Sequence, residues 1–145
     1  MKISSPAFKE NEYIPQKFTC DEQDISPLLE IEEIPEKAKS LCLIVDDPDA
    51  PAKVWVHWVL FNIPVQEKIE ENTRHGTQGI NDFNKNDYGG PCPPPGTGVH
   101  RYFFKLYALD EQLSLKEGAS KEQVEKSMKG HILESCELIG LYEKK

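Results

Sequence analysis

The chain has 145 residues, of which 38% are hydrophobic and 29% charged, and its formal net charge is −8. That charge argues against nucleic acid and anionic membrane surfaces as partners, since both select basic patches. No apolar run approaches the ~20 residues of a membrane span.

The length suits one domain over residues 1–145 with a core of its own. Met1-Lys2-Ile3-Ser4-Ser5-Pro6 lacks the apolar centre of a signal peptide, so a cytoplasmic location is expected. Cys20, Cys42, Cys92 and Cys136 fall at no zinc-knuckle or redox-pair spacing, and most read as reduced structural thiols.

In chain order, Lys2 to Phe8 reads as a strand interrupted at Pro6. Asn11 to Asp24 is polar and reads as loop, with a short extended piece from Lys17 to Cys20. Leu28 to Ile34 alternates as a half-buried strand, and the continuous apolar run Ser40 to Val45 suits a buried central strand. The stiff turn Asp46-Asp47-Pro48-Asp49-Ala50-Pro51 follows, with a candidate cis bond before Pro51. Val54 to Ile63 is a second apolar strand, ended by Pro64. Gln66 to Glu71 reads as a short helix or a solvated loop, and Arg74 to Asn86 as turns.

Tyr88 to Gly98 is rich in proline and glycine and cannot be a helix or a central strand. It feeds directly into Val99 to Leu109, an aromatic and partly β-branched run that reads as a long strand. Ser120, with Gln123 three residues on, starts the one convincing helix, which Gly130 stops. Ile132 to Tyr142 returns to a strand. Many short strands and one late helix give a mainly β domain of antiparallel sheets, a sandwich or an open barrel.

Three stretches carry polar groups where apolar neighbours make them costly. Asp47 and Asp49 stand at the mouth of the buried strand. Alternation puts His57 on one strand face with Trp55 and Val59, and His100 on one face with Tyr102 and Phe104. A lone histidine in such a strand is usually a satisfied core residue. If these pieces meet beside the Pro-rich loop, they form a small pocket of donors and acceptors.

At these residues a resemblance is visible. Asp47-Pro48-Asp49-Ala50-Pro51, Trp55-Val56-His57-Trp58 and Gly96-Thr97-Gly98-Val99-His100-Arg101-Tyr102 together resemble the phosphatidylethanolamine-binding protein (PEBP) family. The likeness is to its short bacterial branch, described as Raf-kinase-inhibitor-like. Ile14 to Asp21, Asp24 to Pro27, Gly130 to Leu133 and Glu137 to Gly140 resemble the same branch, so the likeness runs nearly end to end.

The resemblance implies a PEBP-like β-sandwich with few short helices and an anion pocket. The pocket would be formed by Asp47, Asp49, His57, His100 and Tyr102, with Gly90 and Pro91 at its rim. It implies a non-catalytic binder of phosphate-containing or phospholipid head-group ligands such as phosphoethanolamine, which modulates a protein partner in some members. Phosphate needs donors, supplied by imidazole N–H, the Tyr102 hydroxyl and glycine N–H groups; an ammonium group needs a carboxylate. No cofactor is implied. A hydrolase using the histidines and aspartates is the alternative, and a metal site from His57, His100 and Asp47 the third reading.

Overall fold

The computed structural model describes residues 1–144. In chain order the elements are β1 (Lys2–Ser4), β2 (Glu12–Tyr13), β3 (Leu29–Glu32), β4 (Ser40–Asp47) and β5 (Trp55–Ile63). They continue as β6 (Lys68–Ile69), β7 (Thr77–Gln78), β8 (His100–Leu109), α1 (Lys121–Met128) and β9 (Ile132–Tyr142). The strands form a small sheet in the order β1-β3-β6 and a large one in the order β2-β9-β8-β4-β5-β7. All pairings are antiparallel except the short β2, which runs parallel to β9.

The central strand β4 is buried along its whole length because both of its faces are covered. Leu41, Leu43 and Val45 join Trp58, Leu60, Phe104 and Leu106 against Ile3, Leu29, Ile31 and Ile69 of the small sheet. Cys42 and Ile44 point the other way, toward Val59, Phe61 and the apolar side of α1, Val124 and Met128. Two-sided burial is what a continuous apolar run signals, whereas β3 alternates because only one face is covered. The helix starts as its sequence predicts: the Ser120 side chain accepts from the Gln123 N–H, and the Gln123 side chain accepts from the Ser120 N–H.

Four local expectations change. Gln16–Phe18 is a turn of 3-10 helix rather than an extended piece, because Pro15 supplies the φ of a helical start. Lys68–Ile69 is a short strand that pairs with β3, and Ile69 is buried between the sheets. No peptide bond is cis among the described residues, the one before Pro51 included. Cys20 and Cys92 are not free thiols but form a disulfide across 72 positions. Cys42 and Cys136 are free.

Candidate functional site

The Asp46-Asp47-Pro48-Asp49 stretch divides its three carboxylates among three tasks. Asp46 faces the helix side, where Lys105 and Lys121 both reach it at 3.1 Å. Asp47 faces the inter-sheet side. Its Oδ1 accepts from the Asp49 N–H at 2.7 Å, which closes the turn. Its Oδ2 lies 2.7 Å from His100 Nδ1. Asp49 turns outward and takes Arg101 Nε and NH2, both at 2.9 Å. This guanidinium holds the Asp49 carboxyl below its ordinary range.

His57 lies at a bulge. Val45 pairs with Trp58 while Asp46 pairs with Val56, so His57 is an extra residue on β5. Strict alternation would have kept Val59 on its face, whereas Val59 stays on the helix side. The His57 ring meets Tyr102 edge-on at 5.1 Å and Phe83 at 5.3 Å. His57 Nδ1 donates to the Gly89 carbonyl at 2.7 Å, which leaves Nε2 of this cavity-lining ring as the acceptor. Burial, the largest influence, lowers the His57 pKa from its ordinary value, so the ring stays neutral.

Asp47, His57, His100 and Tyr102 line one cavity of about 310 Å³. The rest of the wall is apolar: Pro51, Trp55, Phe83, Pro93 and Pro94 carry most of it. Tyr102 is 1% exposed, and its hydroxyl is buried with no hydrogen-bond partner. Burial and the nearby Asp47 raise its pKa far above the ordinary value, so the hydroxyl keeps its proton. An unpartnered buried hydroxyl costs roughly 1–3 kcal/mol.

Four of the five residues expected to form the pocket, Asp47, His57, His100 and Tyr102, therefore converge. Three others do not reach the cavity. Asp49 is engaged at the surface by Arg101. The Gly90 N–H donates to Asp24 Oδ1 at 2.7 Å, and the Pro91 carbonyl accepts from the Cys20 N–H at 3.1 Å. Both hold the loop to the 16–24 segment, and the rim passes to Cys92, Pro93 and Pro94. Phe83 gave no signal in its turn-rich surroundings. Trp55 was legible only as a strand neighbour of His57.

Thr97 extends the polar chain. Its Oγ1 donates to the Pro94 carbonyl at 2.7 Å and lies 2.9 Å from His100 Nε2. Among the described residues, no group of three or more His, Cys, Asp or Glu side chains is placed to hold a metal ion.

The model of the family described as phosphatidylethanolamine-binding protein matches residues 4–143. The chain belongs to the PEBP family. A PEBP homologue from Chlamydia trachomatis has a solved structure that superposes with a TM-score of 0.93 at 41% identity, covering 99% of this chain and 97% of that one. Escherichia coli YbcL, described as a member of the mammalian PEBP family, superposes at 0.92 with 28% identity, covering 99% and 98%. A UPF0098 protein of Methanothermobacter thermautotrophicus is 51% identical, covering 99% of both chains. A UPF0098 protein of Pyrococcus abyssi is 50% identical, covering 100% of this chain and 86% of its own length. These relatives come from archaea as well as bacteria.

Proposed function

We propose that the protein is a non-catalytic binder of a small phosphate-bearing ligand that also carries a hydrogen-bond donor, with phosphoethanolamine as the model compound. The observation that carries this reading is the convergence of Asp47, His57, His100 and Tyr102 on one otherwise apolar cavity. The Tyr102 hydroxyl, protonated, buried and without a partner, is a donor that a shift of the ring would open to a phosphoryl oxygen. Neutral His57 presents an acceptor at Nε2, which suits an ammonium, a hydroxyl or the proton of a monoanionic phosphate. Asp47 adds a carboxylate beside His100. One donor and two acceptors at the base of an apolar cavity fit a ligand with both characters better than a bare dianion.

No second function is favoured by the geometry. Thr97, His100 and Asp47 are connected like a nucleophile, a base and its orienting acid. However, Thr97 gives its proton to the Pro94 carbonyl and does not line the cavity. No helix is long and apolar enough to cross a membrane. A cytoplasmic location rests on the sequence expectation. A disulfide is rare in the reducing cytosol of mesophiles but common in proteins of hyperthermophiles.

The test is calorimetric titration with phosphoethanolamine, inorganic phosphate and ethanolamine separately. Phosphoethanolamine is expected to bind at least about tenfold more tightly than either half, since both ends are recognised and a decade equals 1.4 kcal/mol. Absence of heat with all three compounds overturns the reading.

A further inference from the structure

The Pro-rich wall of the cavity has almost no backbone hydrogen bonds to hold it. Pro93, Pro94 and Pro95 have no N–H to give. Between Cys92 and Val99 the one backbone hydrogen bond among the described residues is internal, Thr97 N–H to the Pro94 carbonyl. Gly96 and Gly98 adopt φ of +80° and +82° with nothing packed where a side chain would be. Apart from the packing of buried Pro93, the wall is fixed at two points. One is Thr97 on His100 Nε2. The other is the Cys20–Cys92 disulfide, whose Cys92 half is exposed and lines the cavity.

We propose that this disulfide is a reducible clasp, through which a dithiol in the surroundings sets how open the cavity is. A thiolate of the dithiol attacks the Cys92 sulfur, forms a mixed disulfide and displaces Cys20 as a thiolate, which takes a proton. The second thiol of the dithiol then displaces Cys92. The protein disulfide gains two electrons and the dithiol becomes a disulfide. The fold survives because neither core rests on this bond. Tyr88 still donates to the Phe18 carbonyl and Gly90 to Asp24, so the loop stays docked up to Pro91. Only the segment beyond it loosens.

The clasp concerns the same cavity as the proposed ligand, but its test does not depend on that ligand. The protein is treated with dithiothreitol under native conditions and then with iodoacetamide. Cys20 and Cys92 should be alkylated, while Cys42, which is fully buried, should stay free and report an intact fold. Amide hydrogen exchange at Thr97, whose N–H is bonded to the Pro94 carbonyl, should rise severalfold. Acrylamide should quench Trp55 more strongly, with buried Trp58 as a constant background. Phosphoethanolamine affinity should fall about three- to tenfold as the wall loses its preorganisation. The Cys20→Ser/Cys92→Ser variant should reproduce each change without reductant, and Cys136→Ser should cause none. Unchanged exchange and quenching after complete reduction would overturn the clasp. So would alkylation of Cys42 along with the other two, since reduction would then unfold the protein. If the wall loosens but no phosphate compound binds either state, the clasp stands and the proposed ligand fails.

Discussion

His100 Nδ1 and Asp47 Oδ2 lie 2.7 Å apart although 53 positions separate the two residues, and their side chains are only 2% and 4% exposed. The pair joins the C-terminal end of β4 to the N-terminal end of β8. Each partner is buried in a wall that offers little else polar. Removing one side of a buried hydrogen-bonded pair typically costs about 3–5 kcal/mol, because the other side is left unpaired. Asp47→Ala also strips the Asp49 N–H of its acceptor. We expect Asp47→Ala and His100→Ala each to lower stability by roughly 3 kcal/mol, with a double-mutant coupling above about 1 kcal/mol. Urea unfolding of the four proteins of the cycle measures it, and additive losses would mean that the two groups do not act as a pair.

Tyr102→Phe should separate binding from folding. The hydroxyl has no hydrogen-bond partner within the protein, so its removal should leave stability unchanged or raise it by up to about 1 kcal/mol. Affinity for phosphoethanolamine should fall about tenfold, the loss of one hydrogen bond to a charged group. A variant that binds as well as wild type would place the phosphoryl group elsewhere.

Asp49 should behave unlike Asp47. Its carboxylate is committed to Arg101 at the surface, outside the cavity. Asp49→Ala is expected to change phosphoethanolamine affinity by less than about twofold, as for an exposed pair screened by solvent. Titration of this variant beside Asp47→Asn gives the comparison; equal losses in both would return Asp49 to the site.

His57 should make stability depend on pH. Burial holds its folded pKa below the ordinary 6.5, with the Gly89 carbonyl and Asp47 opposing. Between that depressed value and 6.5 the unfolded chain binds more protons than the folded one. Stability therefore rises with pH through this window and is lost on acidification. The depressed carboxyls of Asp21 and Asp49 act lower, since their contribution is lost as pH falls from 3.8 through their folded values. The urea midpoint should thus drop between pH 7 and pH 5, and His57→Gln should show a smaller drop. The same drop in both proteins would remove His57 as its source.

Gly90 tests the anchoring of the loop. A Cβ there would lie 2.2 Å from the Phe18 carbonyl oxygen and 2.5 Å from Asp24 Oδ1. Gly90→Ala must push the loop away from the 16–24 segment. It should cost about 2 kcal/mol, in the range of overpacked sites, and weaken phosphoethanolamine binding as the wall shifts. A crystal structure of Gly90→Ala with an unmoved loop and full stability would contradict this.

The sequence by itself determined the β-rich class, the long strands, the helix with its capping box and the family. These features are local, or are carried by short motifs in order. Two-residue periodicity also settled that Tyr102 and Phe104 share a face, because β8 keeps its alternation there. Periodicity held from Trp55 to His57, which both line the cavity, and failed between His57 and Val59, where a bulge adds one residue and leaves Val59 on the helix side. No pattern within β5 shows this, since a bulge is a mismatch between two strands and appears only once they pair. The same holds for Cys20 with Cys92, Gly90 with Asp24 and Asp49 with Arg101. In each, one chemical group had several conceivable partners, and the sheet order brought one of them within reach. Tertiary structure therefore decided which carboxylate enters the cavity, which residues form its rim and which hydroxyl is left without a partner.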